Sequence, residues 1–167
     1  VLDVIGAKAV VDWVLVELRS ATDNTSIITS MDGLLLRDGN IVTTDGVSSL
    51  KMFANAGSYY VSIKHRNHLG VMTANTIALN QVSTTIDFTD ANNQITYGTD
   101  AQTTFGIPTN TLAMWAGDSN ADGRINYSGA TSDVPFIRSQ VFNDPNNSVF
   151  GGPPVASYPS LGYNTTD

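Results

Sequence analysis

The chain has 167 residues, enough for one well-buried domain, or for a domain of about 100 residues with a structured appendage, but not for two full domains. Its 41% apolar and 14% charged residues argue against disorder, and a net charge of −7 with only 8 Lys and Arg lacks the cationic surface that a nucleic-acid backbone demands. Cysteine is absent, which excludes disulfides, thiolate zinc sites and a Cys nucleophile.

Of the 15 acidic residues only Glu17 is Glu, so Asp, a residue of turns, caps and metal loops, supplies the negative charge. The chain starts at Val1 without a signal-peptide pattern, and no apolar run approaches the roughly 18 residues of a membrane span. It reads as a mature, processed or excised soluble piece of an exported protein.

In chain order, "VLDVIG" is strand-like and apolar. It either tucks into its own sheet or pairs with a neighbouring subunit's open edge, which makes Val1, Leu2, Val4 and Ile5 candidate subunit-interface residues. "AVVDWVLVELRS" follows, with Val10, Val14, Val16 and Leu18 on one side and Val11, Trp13 and Leu15 on the other, so both sides want cover and the strand is central or part of an interface. "SIITS", "GLLLRDGNIVTTDG", "SLKMFAN", "GSYYVSIKHRNHLGVMT", "STTIDFT" and "QITYG" continue the series. Short β-rich runs about every 10 residues predict an antiparallel β-sandwich over residues 1–105. "RDGN", Arg37 to Asn40, signals a tight hairpin, and "TDGV" at Thr44 to Val47 repeats it.

Within "SYYVSIKHR", Tyr59, Val61, Ile63 and His65 alternate with Tyr60, Ser62, Lys64 and Arg66, as in a half-buried strand. His65 and His68 fall on opposite sides if the strand continues, so they do not pair or share a metal. His65 reads as an inward, hydrogen-bonded residue, and Lys64, Arg66 and His68 as a solvated or interface patch. There is no G-x-S-x-G elbow and no phosphate-binding Gly loop, and catalysis is not expected.

Residues 106–167 turn to loops, Pro and Asn, packed on the sandwich, with one short helix in "DVPFIRSQVFN". Asp133 is its expected N-cap, Pro135 sits in the first turn, and Phe136, Ile137, Gln140 and Val141 have helical spacing. The expected class is therefore all-β with a loop-rich C-terminal calcium-binding segment.

That segment carries "GDSNADGRINYSG". An EF-hand-type loop takes ligands from positions 1, 3, 5, 7, 9 and 12, with Gly at 6. Asp118 at the first position puts Asn120, Asp122, the Arg124 carbonyl and Asn126 on ligand positions and Gly123 on the turn. Gly129 stands where the bidentate acid belongs, and Asp133, four residues later, is the expected substitute. Hard oxygen ligands with neither His nor Cys point to Ca²⁺ rather than zinc.

"AGDSNADGRINYSG" looks like the calcium loop of a dockerin-type repeat. Together with "VDWVLVELR", "RDGNIV", "AGSYYVSIKHRNHLGVMT" and "LGYNTTD" it resembles a module of secreted, surface-associated bacterial proteins, in which a transthyretin-like or carboxypeptidase-regulatory-like β-sandwich precedes dockerin-like (EF-hand-like) loops. The resemblance implies a first calcium loop at Asp118, Asn120, Asp122 and Arg124 with Asp133 as late ligand, and a second loop starting at Asp167. The missing position-12 acid separates it from cohesin-binding dockerins.

The function expected is a non-enzymatic, extracellular, calcium-stabilised structural or adhesive module that self-associates, as in a filament or other polymer. The alternative is a carbohydrate-binding module of a secreted multidomain enzyme, stacking sugars on Trp13, Trp115, Tyr59 or Tyr60; core packing for Trp13 and Tyr59 and a plug beside the loop for Trp115 is the simpler role. Sequons at Asn24, Asn126, Asn146 and Asn164 leave glycan attachment open.

Overall fold

The computed structural model describes residues 4–104 and 109–143. It is all-β: mostly antiparallel sheet, with one short α-helix. The strands are β1 (Val10–Ser20), β2 (Ile27–Leu36), β3 (Ile41–Val42), β4 (Gly57–His65), β5 (His68–Met72), β6 (Ile77–Leu79), β7 (Gln102–Thr103) and β8 (Ala113–Met114); the helix α1 is Asp133–Asn143.

Six strands form one sheet in the order β3-β2-β1-β4-β5, with β6 also on β4, and β7 and β8 make a separate ribbon. β1 is central, paired to β2 from Val10↔Leu36 to Arg19↔Ile27 and to β4 from Leu15↔Lys64 to Ser20↔Tyr59. Val14, Val16, Leu18 and Val61 form the buried core on one face, covered by Leu50, Met52, Ile77, Leu79 and Ile86 among others.

The cover explains where the architecture departs from a sandwich of two full sheets. "SLKMFAN" and "STTIDFT" contribute apolar side chains but no ladder; both are irregular. In "STTIDFT" a short polar side chain captures the backbone instead, Asp87 accepting the Thr89 N–H at 2.8 Å and its hydroxyl at 2.7 Å, and just before it Asn80 accepts the Val82 N–H at 2.6 Å. Such local turns compete with strand pairing.

Other expectations are corrected in detail. "SIITS" and "GLLL" are one strand, because Gly33 lies in register with Val14 instead of breaking the chain. A Cβ on Gly33 would sit 2.5 Å from Ile41 Cγ2, so the absent side chain is what lets the β2–β3 edge pack. The second face of β1 is not apolar core: Trp13 is 49% exposed and Val11 50%. Glu17 on that face is nearly fully buried between two cations, bonded by Arg19 Nη2 at 2.6 Å and Lys64 Nζ at 3.1 Å. β4 does not run on through "KHRNH" but ends at His65, and β5 begins at His68 after a turn at Arg66–Asn67. The "RDGN" hairpin forms, with the Leu36 N–H bonded to the Asn40 carbonyl at 2.8 Å.

The chain divides into two compact units. Among the described residues, one comprises 4–65 with 70–115 and the other 66–69 with 116–143. β8 pairs with β7, and both belong to the sheet-bearing unit, which runs to Trp115.

Candidate metal centre

The loop from Gly117 to Asp133 lies wholly in the second unit. Gly123 occupies φ +79°, a left-handed conformation that glycine adopts without steric cost, and Ala121 reaches φ +58° in the turn before it. That geometry aims successive N–H groups at Asp118, which is 4% exposed: Oδ1 accepts from Asp122 and Oδ2 from Gly123, both at 3.1 Å. Asn120 Oδ1 accepts the Asp122 N–H at 3.0 Å and Asp122 Oδ1 accepts the Arg124 N–H at 2.9 Å. The loop is thus a chain of Asx turns.

Asp133, 3% exposed, ties its two ends together. Its Oδ1 accepts the N–H groups of Ser119 at 2.9 Å and Asn120 at 3.4 Å, and its Oδ2 accepts that of Asn126 at 2.8 Å. The Ser119 hydroxyl donates to the Asp133 carbonyl at 3.1 Å. Asn126 Nδ2 and Asn120 Nδ2 reach Thr131, at 3.1 Å to its hydroxyl and 3.3 Å to its carbonyl. Asp133 is therefore not the side-chain cap of α1. Ser132 Oγ accepts the Val134 N–H at 3.3 Å, while the Asp133 carboxylate is engaged by the loop amides.

The electrostatics of the two acids are opposed. Burial pushes the Asp118 carboxyl above the ordinary range, and the charges of Asp122 and Asp133 add to it against the pull of the Gly123 and Asp122 amides. The Asn126 amide, with those of Ser119 and Asn120, holds Asp133 below the usual range in spite of its burial.

The donor set is all oxygen and fits a hard divalent cation in its chemistry. Asp118 is the group that a cation would relieve, being buried with two like charges acting on it. The carboxylates are at the same time bonded to backbone amides, and among the described residues no group of three or more His, Asp or Glu converges as a metal cluster.

No protein-family model, curated protein or solved structure matches this chain.

The remaining candidates divide clearly. Asp167, Val1 and Leu2 lie outside the described residues, while Val4 is 45% exposed and Ile5 90%. Trp115 is 39% exposed and is held by Nε1 donating to the Asp100 carbonyl at 2.8 Å, within the sheet-bearing unit. His65 Nε2 lies 2.9 Å from Asp12 Oδ2, both side chains largely buried, and His68 Nδ1 lies 2.8 Å from Asn67 Oδ1. Sequence reasoning missed the Asp12 partner, 53 residues away, and the role of Ser119 as a double donor to Asp133. No helix among the described residues is long and apolar enough to cross a membrane.

Proposed function

We propose that this chain is a non-enzymatic, extracellular structural or adhesive module whose loop segment is stabilised by Ca²⁺ and which self-associates, as a filament or other polymer subunit does. The supporting observation is the Asp118–Asp133 loop: two buried carboxylates of like charge are held in a frame of Asx turns, with the Asp118 carboxyl pushed up by its burial. Asp118, Asn120, Asp122, the Arg124 carbonyl and Asp133 would hold the ion, with Asn126 beside them, and the ion would supply compensating charge and a cross-link that a cysteine-free chain otherwise lacks. The resemblance to surface-associated bacterial modules agrees with this role, as do the exposed apolar Val4 and Ile5.

The test measures thermal unfolding and particle size of the whole chain with calcium and with chelator. A melting temperature that rises with calcium, and scattering that reports particles larger than one chain, are expected. An unchanged melting curve rejects the ion, and a single-chain particle at all concentrations rejects self-association.

A second reading, sugar binding, is favoured by Trp13, which stands 49% exposed on the sheet face and directly opposite Leu34. A half-exposed indole offers an aromatic face for stacking. Quenching of tryptophan fluorescence by oligosaccharides, lost in Trp13→Ala, distinguishes it.

A further inference from the structure

We infer that the open edge of β2 accepts the apolar N-terminal segment of a second copy of this chain as an added strand; this rests on the self-association proposed above and names its two surfaces. One edge of the sheet is already covered. The Tyr97 N–H bonds to the Met72 carbonyl and the Ala74 N–H to the Ile95 carbonyl, both at 2.7 Å, and Thr73 bridges to Thr96. The opposite edge is different. β3 has two residues and pairs only with Leu34 and Leu35, so β2 from Ile27 to Gly33 has β1 on one side and, among the described residues, no strand on the other.

Sheet edges are ordinarily blunted by charge, proline or brevity. "IITSM", Ile27 to Met31, has no charge and no proline, and Ile27 and Ile28 are each 51% exposed. Thr29 and Met31 share the face of Leu18 and Val16 and are only half-buried, so apolar side chains laid beside them would extend the core.

The donor has matching chemistry. Val4 and Ile5 belong to no strand, and Ile5 is already extended at φ −111°, ψ 166°. A period of two puts Leu2 and Val4 in one row and Val1, Asp3 and Ile5 in the other, so an entirely apolar row is offered to the Thr29–Met31 side. Its own copy's Thr29 lies out of reach. The Ala7 and Ala9 carbonyls accept the N–H groups of Asp38 at 3.0 Å and Arg37 at 2.9 Å, and Lys8 pairs with Asp38 at 2.7 Å, which anchors the segment past the Leu36 end of β2. From Leu36 back to Thr29 is about 23 Å of strand, whereas residues 1–5 fully extended span about 18 Å at most. β3 occupies the edge between. A donor and an acceptor that are different surfaces make a heterologous contact, which propagates into a ring or an open filament.

The absence of cysteine allows a direct test with the full chain. Ile5→Cys carried by one copy is mixed with a size-tagged copy carrying Ile28→Cys or Ser30→Cys, and in parallel with one carrying Thr29→Cys, whose side chain is on the other face. Oxidation is expected to give several-fold more mixed disulfide with positions 28 and 30 than with 29, and Val4→Asp with Ile5→Asp, at two exposed sites, is expected to reduce particle size. Particles that persist without any mixed disulfide overturn the β2 edge while leaving self-association standing. A disulfide formed within one chain, seen in a copy carrying both Ile5→Cys and Ser30→Cys at high dilution, overturns exchange between copies. A chain that is monomeric throughout removes both.

Discussion

Asp133 and Asn126 bond to each other reciprocally: the Asp133 carboxylate accepts the Asn126 N–H at 2.8 Å, and the Asp133 N–H donates to the Asn126 carbonyl at 2.9 Å. This closes the loop into a ring of hydrogen bonds at the first residue of α1, and it makes Asp133 the residue on which the segment turns. Asp133→Ala leaves the N–H groups of Ser119, Asn120 and Asn126 without their acceptor, at a cost of about 2–3 kcal/mol of local stability. The check is limited proteolysis: cleavage within Gly117 to Asp133 accelerates in the variant, while hydrogen exchange in β1 is unchanged.

Asp118 behaves differently, because its carboxyl is raised by burial and by the charges of Asp122 and Asp133. A raised folded pKa means a contribution that is present at low pH and lost as pH rises through the folded value. The ionised form at neutral pH is therefore a burden on the fold, and Asp118→Asn in chelator shifts stability by no more than about 1 kcal/mol, since one lost amide contact offsets the relief. On the calcium role proposed above, free calcium at 100 times its dissociation constant is expected to add about 2.7 kcal/mol to the native chain. The variant gains nothing. Melting curves of both chains with calcium and with chelator check this.

Glu17 sets a second pH dependence. Its burial alone would raise the carboxyl, but hydrogen bonds from Arg19 and Lys64, with their charges, outweigh it and hold the pKa below the ordinary value. The contribution is then present above the unfolded pKa of about 4.3 and lost as pH falls through the lower folded value. Melting temperature measured from pH 6 down to pH 3 falls more steeply in the native chain than in Glu17→Gln. Glu17→Ala leaves the largely buried Arg19 without its carboxylate, while Lys64, 48% exposed, turns to solvent; the cost is about 1–2 kcal/mol at pH 7.

Gly33 carries the packing of the β2–β3 edge. An added Cβ would meet Ile41 Cγ2 at 2.5 Å, and the nearest further neighbours, Leu50 Cδ2 and the Val42 carbonyl, are both at 3.4 Å. Gly33→Ala forces Ile41 aside and costs about 1–3 kcal/mol by overpacking. Denaturant unfolding of Gly33→Ala, alone and in an Ile41→Ala background that removes the clashing Cγ2, checks it: the loss caused by Gly33→Ala is smaller in that background.

Several elements were legible because their causes are local. The alternation in "SYYVSIKHR" marks β4, "RDGN" marks the β2–β3 hairpin, and Pro135 marks the first turn of α1. The D-x-N-x-D-G spacing is likewise local, since each of its Asx side chains bonds an N–H two to five residues on. The packing face of α1 at Phe136, Gln140 and Val141 lies outside the described side chains.

What was not legible depended on residues far apart in the chain. "STTIDFT" has strand composition, yet Asp87 folds its own backbone into a turn, and only the core that Ile86 joins decides which wins. Trp13 on an apolar alternating strand reads as core until the sheet leaves its face half open. The Asp12–His65 contact has no signature at all in either local stretch.

By itself, then, the amino-acid order determined the all-β class, the tight turns and the acidic oxygen-rich loop, because short-range hydrogen bonding and side-chain period act within a few residues. Only the tertiary structure decided which strands leave an edge open, that Asp133 bonds the loop from 14 residues beyond Ser119, and that Glu17 lies buried between Arg19 and Lys64. Those features depend on the distance between atoms brought together by packing, and burial and charge coupling come into being only when the chain has closed around them.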